Sequence, residues 1–297
     1  MTTAPTAVTP AVASVARLGP VAGPALRRPA GPAVAARAYG AIFAVSVRNQ
    51  LAYWGEWLLR GIFLAIVLFI FLQLWRATFG AQQRATIAGF TLPHMLWYLA
   101  LSESIVLSRP RINQTIDQEV RTGDIAYTLI RPYSYAGYRL ATYLGERVLR
   151  FATTLAAAGL VALVYVGPVP FGARSILAGL AALVLAMLID FLGSFSIGLL
   201  AFWTEDTDSM GLIYDRLVML LGGMFLPLSV LPPAIARLAD ALPFSVLVFG
   251  PARLALGDPD ASLALIAAKQ VAALLLFGAV AALLYRAALR RLTANGG

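Results

Sequence analysis

Cysteine is absent from the 297 residues, and histidine and lysine each occur once, as His94 and Lys269. The first absence excludes disulfides and thiolate metal sites, and a lone histidine cannot build a histidine metal cluster. The scarcity of lysine is more informative. A nucleotide-binding phosphate loop needs Gly-x4-Gly-Lys followed by Ser or Thr, whereas Lys269 sits in Ala-Ala-Lys-Gln-Val-Ala, so that loop is excluded. Neither Gly-x-Ser-x-Gly nor His-Glu-x-x-His occurs, which leaves a hydrolase without a nucleophile or a metal. The chain is read as a non-enzyme with no cofactor or metal of its own. Charge is scarce as well, at 12% of residues against 60% hydrophobic. Soluble domains carry roughly 25% charged residues. With a mean hydropathy of +0.79, the composition is that of an integral membrane protein.

What is present is a series of apolar runs separated by short polar breaks. Residues 1–36 are rich in Ala, Pro, Val and Thr, without an acid or an aromatic core, and read as a disordered tail. Its prolines interrupt any apolar core that a signal peptide would need. Residues 37–53 place Tyr39, Phe43 and Val47 at four-residue spacing, the pattern of an interfacial helix. Residues 54–297 then divide into six expected spans. They run from about Trp54 to Trp75, Phe90 to Leu107, Val148 to Val166, Ile176 to Trp203, Met210 to Val230 and Ser262 to Tyr285. The fourth would cover roughly 40 Å at 1.5 Å per residue, against a hydrocarbon core of ~30 Å, so it must tilt or protrude. Pro232 to Gly257 is apolar but broken by Pro243 and Pro251. Two short helices dipping into the membrane surface fit it better than a further span.

The longest polar segment between these runs is SRPRINQTIDQEVRTGDIAYTLIRPYSY, Ser108 to Tyr135. Ile112, Ile116 and Val120 recur every four residues and share one helical face. Ser108 suits a cap, Pro110 a first turn and Gly123 a stop. A helix of about three turns with a narrow apolar stripe needs something to cover the stripe. Lipid headgroups and a soluble partner subunit are the two candidates. The acidic loop TEDTDS, Thr204 to Ser209, either complements the start of the next helix or meets a partner's basic residues.

The net charge of +9 arises from 22 arginines and one lysine against 14 acids. With the N-terminus inside, 16 arginines fall on the inner side and 5 on the outer, which orients both termini and the Ser108–Tyr135 helix to the cytosol. Glu103, Asp190 and Lys269 lie within expected spans and should face a bundle interior, a cavity or a partner. For Asp190 a structural ion pair and a substrate pathway both remain open. Phe195, Met219, Met224 and Phe225 are further candidates for an adaptable apolar pathway, with plain packing as the alternative.

Three stretches carry a family resemblance: EVRTGDIAYTLIRPYSY after the second span, GLLAFWTEDTD ending the fourth, and GGMFLPLSVLPPAIARLADALPFSVLVFGPARLALG from the fifth onward. Over about residues 37–291 the chain resembles the permease subunits of bacterial ABC-2 type transporters, in the six-span branch similar to viologen and drug exporters. The resemblance implies an all-α membrane protein with an N-terminal elbow helix, six transmembrane helices and short extracytosolic helices before the last. It also implies a cytosolic coupling helix that docks in a separate ATPase subunit, which binds ATP and Mg, and a second permease copy or paralogue. On this reading Ile112, Ile116, Asp117, Val120 and Arg121 contact the ATPase, with Glu205 and Asp206 as a second contact. The implied function is export of a hydrophobic or amphipathic small molecule across the cell inner membrane. An ion- or proton-coupled transporter using Glu103 or Asp190 is the alternative.

Overall fold

The computed structural model describes residues 32–52, 54–169, 171–204 and 206–295. Its elements are α1 (Pro32–Ala52), α2 (Trp54–Gln82), α3 (Leu92–Leu107), α4 (Ile112–Thr122), α5 (Asp124–Leu129), α6 (Tyr135–Val166), α7 (Ala173–Leu199), α8 (Asp208–Leu221), α9 (Pro233–Ala241), α10 (Phe249–Leu256) and α11 (Leu263–Asn295). Single 3₁₀ turns follow α7 and flank α9. Among the described residues no strand forms; an isolated bridge joins Ile87 and Phe90. The all-helical expectation holds. The first helix begins at Pro32, not Arg37, because proline is well suited to a first turn, where its missing N–H is not needed. Residues 1–31 of the expected tail lie outside the described residues.

Among the described residues four helices are long and apolar enough to cross a membrane: Leu59–Gln82, Tyr135–Val166, Ala173–Phe202 and Leu263–Arg291. The expected second and fifth spans are shorter than that. The 16 residues of α3 rise about 24 Å and the 14 of α8 about 21 Å. The fifth was expected to continue to Val230 but stops at Leu221. Gly222 and Gly223 follow, and Gly223 takes φ +78°, a left-handed conformation that glycine adopts without penalty and that ends a helix. Stopping a helix inside an apolar bundle frees carbonyls that need donors. Here α3 supplies them: the Tyr98 hydroxyl donates to the Gly223 carbonyl at 2.5 Å and the Ser102 hydroxyl to that of Met224 at 2.8 Å.

Helix α6 is the central post. Helix α1 runs beside its first half, where Gly145 leaves no room for a side chain: a Cβ there would lie 2.7 Å from the Phe43 carbonyl oxygen. The Arg150 guanidinium donates to the Gln50 side chain at 3.2 Å. Helix α2 continues along the second half, burying Leu64, Leu68, Leu72 and Trp75 against α3 and α6. On the other side, α7 packs against α10 and α11. The short α9 and α10 were expected, but α10 is no surface element. Its Phe249, Ala252, Leu254 and Leu256 are buried, and Gly179 of α7 permits the approach. A Cβ on Gly179 would sit 2.5 Å from Ala255 Cβ and 2.8 Å from its backbone nitrogen. We expect Gly179→Ala to cost ~1–3 kcal/mol through overpacking against backbone, seen as earlier thermal unfolding in detergent. Gly40→Ala, at a helical site with nothing within 4 Å, should leave unfolding unchanged or delayed.

Candidate functional site

The polar helix exists as read, and Gly123 ends it with φ +81°. Its start differs. Arg111 occupies the cap without a side-chain bond, while the Ser108 hydroxyl is spent on α3, donating to the Ile105 carbonyl at 3.0 Å. The larger correction concerns the apolar stripe. Ile112 and Ile116 were expected to meet an ATPase, yet Ile116 is 0% exposed and Ile112 is buried with it. They join Phe191, Phe195 and Leu199 of α7 and Tyr135 of α6, with Val120 half-buried beside them. Gly198 makes this possible, since a Cβ there would lie 2.8 Å from Ile116 Cβ and 3.1 Å from Asn113 Cα. The stripe is covered by the chain itself.

Polar contacts fix α4 to three further places. Asp117, also expected at the partner surface, is buried. It accepts from the Thr207 hydroxyl just before α8 at 2.8 Å and from Arg121 at 2.6 Å. Glu119 accepts from the Tyr135 hydroxyl at 2.7 Å and pairs with Arg139, both on α6. Asn113 fills the space that a side chain at Gly211 of α8 would need. Helix α4 is therefore keyed to the ends of α6, α7 and α8 together.

The side chains that remain outward include Gln114, Thr115, Gln118, Arg121 and Thr122 on α4, and Tyr127 and Ile130 at α5, which are 71% and 70% exposed. Two large apolar side chains at the tip of the polar segment were missed in the sequence, because α5 is too short for a periodicity signal. Asp206 is exposed and shapes the start of α8, accepting from the Ser209 hydroxyl at 2.7 Å and the Asp208 N–H at 2.8 Å. Those donors hold its carboxyl below the usual carboxylate value. Glu205 lies outside the described residues.

A second cluster lies where α3 turns into α4. The Asp190 carboxylate of α7, 1% exposed, receives Arg109 Nε at 2.9 Å and Arg147 at 2.5 Å. It also receives the Tyr143 and Tyr214 hydroxyls at 2.6 and 3.1 Å. Arg109 reaches onward to Asp215 of α8 at 2.9 Å, and Arg147 to the Ile105 carbonyl of α3 at 3.3 Å. Three helices, α6, α7 and α8, and the α3–α4 corner meet at one buried carboxylate. Of the two readings of Asp190, the geometry is that of the structural ion pair. Nine residues separate it from the end of α7, about 13 Å at 1.5 Å per residue. Tyr143 and Arg147 are four apart on α6 and so share a face, a signal the sequence did offer.

The other pathway candidates separate. Phe195 and Met224 are buried in the chain's own packing, and Phe225 stacks on Phe71 of α2 with ring centroids 6.1 Å apart. Met219 lines a cavity of about 1010 Å³ between α2, the α3–α4 corner, α6 and α8. Glu103 is buried on α3, and its Oε1 has no hydrogen-bond partner. Lys269 pairs with Asp240 at 2.7 Å. Among the described residues no group of acids and His94 is placed to hold a metal ion.

Comparison with known families decides the class. The model of the ABC-2 family transporter protein matches residues 62–296. The chain belongs to this family. That makes it a multi-pass membrane permease of the ABC-2 type, a class that works with an ABC ATPase. The match covers α3 to α11 and most of α2, so both the keyed α4 and the Asp190 cluster belong to the ABC-2 permease domain. No curated protein matches the chain.

Proposed function

We propose that this ABC-2 permease is the transmembrane half of an ATP-driven exporter, moving a hydrophobic or amphipathic small molecule out of the cell. The observation that carries the reading is the α4–α5 segment. It is fastened to the ends of α6, α7 and α8 by buried contacts, yet presents Tyr127 and Ile130 outward. Such a segment has the properties of a coupling helix. A partner pressing on its tip moves the ends of α6, α7 and α8 as one unit, and the Asp190 cluster carries that displacement into the bundle. ATP and Mg reside on the partner ATPase, and closure of the ATPase pair opens a pathway between two permease copies. Six spans follow if α3 and the broken α8 cross with support from their neighbours. Helix α1 is then the elbow and α9–α10 the extracytosolic pair. Arg121, Gln118 and Asp206 lie beside the tip as polar contacts, the kind that contribute little when solvated.

Two measurements test this. Single cysteines introduced at Gln114 and Ser209 should resist a membrane-impermeant thiol reagent in intact cells, while those at Gln82 and Ala236 react; the absence of native cysteine keeps the background clean. Labelling at position 114 from outside would reverse the orientation. Affinity purification of the chain from its native membrane should bring an ABC ATPase with it. A permease that purifies alone and still transports contradicts the reading.

A further inference from the structure

The cavity of about 1010 Å³ beside the Asp190 cluster is lined by Arg60 of α2, Arg109 and Arg111 of the α3–α4 corner, Arg150 of α6 and Arg216 of α8. Against these five arginines the described lining residues include two carboxylates, Glu146 and Asp215. Arg109 is held by Asp190 and Asp215, so the cations of the lining that remain without a carboxylate partner among the described residues include Arg111 and Arg216. Both acids are already engaged, Glu146 by Arg150 at 3.0 Å and Asp215 by Arg109 at 2.9 Å. Arg111 and Arg216 are exposed and have no ion-pair partner among the described residues; Arg216 donates to the Met219 sulfur at 3.6 Å. The same cavity has an apolar wall in Leu59 and Phe63 of α2, 70% and 60% exposed, with Leu107 and Met219.

Excess arginine on the inner side of a membrane protein is ordinarily a matter of topology. Topological charge spreads over the surface, as Arg286 and Arg291 do on the outward face of α11. It does not require cations from four separate elements to converge on one hollow with a hydrocarbon-like wall. A cation entering there would meet like charge, whereas a phosphate or carboxylate would gain charge-assisted, bidentate bonds from unpaired guanidiniums. The geometry points to this cavity as the cytosolic-side binding site for the exported molecule, and to an anionic amphiphile as its class: an acidic headgroup on Arg111 and Arg216, a hydrocarbon portion along Leu59 and Phe63. The assignment rests on the exporter reading and narrows it, setting aside cationic, viologen-like cargo.

The test is native mass spectrometry of the full-length chain in non-ionic detergent, with equimolar dioleoylphosphatidylglycerol and dioleoylphosphatidylcholine as probes. Wild type should retain the anionic lipid by about tenfold over the zwitterionic one, the effect of a charge-assisted contact or two. Arg111→Gln/Arg216→Gln should bring the ratio near parity, and Arg111→Glu/Arg216→Glu should favour dioleoyl-trimethylammonium-propane. Arg286→Gln/Arg291→Gln, on the same side but outside the cavity, should keep the wild-type ratio. Adding ATP to the permease–ATPase complex should lower the retained phosphatidylglycerol. Equal retention of both lipids, equal loss in the Arg286/Arg291 control, or displacement by inorganic phosphate alone overturns the site; the last outcome marks a soluble phosphate ligand. Retention that ignores ATP marks a structural lipid and overturns the cargo assignment. ATPase co-purification from the same preparations separates the two claims: association without lipid preference removes the site and leaves the exporter reading, and the reverse result removes the exporter reading.

Discussion

Asp190→Ala is expected to leave little monodisperse permease. The substitution removes the acceptor from four donors at once, leaving buried Arg147 without its carboxylate and Arg109 with Asp215 alone. Removing one partner of a buried ion pair typically costs about 3–5 kcal/mol, because an uncompensated charge remains inside. That is a large share of the 5–15 kcal/mol that separates folded from unfolded states in most domains. Asp240→Ala is the comparison. Its pair with Lys269 is solvent-facing at 59% and 31% exposure, so the change should stay under ~1 kcal/mol. The two results would be read as folded yield and melting temperature of purified protein. If the hub serves structure alone, replacing the charged trio by apolar residues, as Asp190→Leu with Arg109→Met and Arg147→Met, should restore both yield and transport. If it also transmits motion from α4, yield should recover while ATP-driven transport stays low. An Asp190→Ala protein as stable as Asp190 wild type would contradict the cluster's place in the account.

The second large effect separates the tip of α5 from the stripe of α4. Tyr127→Asp with Ile130→Asp changes two side chains that already face outward, so expression, insertion and melting should match wild type. ATPase association should fall by at least tenfold, since apolar anchors at interface centres contribute ~2 kcal/mol or more. Ile116→Asp should behave in the opposite way. Ile116 lies inside the chain beside Gly198, and an unpaired charge there costs on the order of several kcal/mol, so the permease itself should be lost. A stable Ile116→Asp permease lacking only its ATPase would return the contact to the stripe, and retained ATPase in the Tyr127/Ile130 variant would remove the tip from the interface.

Much of this architecture was legible in the chain. Long apolar runs fix α2, α6, α7 and α11, since composition alone decides whether a helix can sit in lipid. The polar break at Ser108 to Tyr135 announced α4, and Gly123 its end. What the chain did not reveal is which way the stripe of α4 faces. An apolar stripe at Ile112 and Ile116 demands burial, but periodicity does not say whether a partner or the chain's own Gly198 provides it. The stop at Gly222–Gly223 was hidden for a related reason. Met224 to Val230 is as apolar as a helix, and only Tyr98 and Ser102, more than a hundred residues away, supply the donors that let the backbone turn. The partners of Asp190 were obscured in the same manner, as Arg109, Tyr143, Arg147 and Tyr214 are scattered across α6, α8 and the corner before α4. Long-range pairing of this kind is written in the packing, not in local pattern.

Inside-out vesicles carrying this permease and its co-purified ATPase, offered a fluorescent phosphatidylglycerol analogue or any exported amphiphile at their outer face, provide the most direct measurement of the central claim. ATP-driven movement into the vesicle lumen or its facing leaflet should require hydrolysable ATP, persist when a protonophore collapses the proton gradient, and vanish in the Tyr127→Asp/Ile130→Asp variant. Movement that continues without ATP and stops with the proton gradient would contradict the account, and would turn attention to Glu103, the buried carboxyl whose Oε1 lacks a partner.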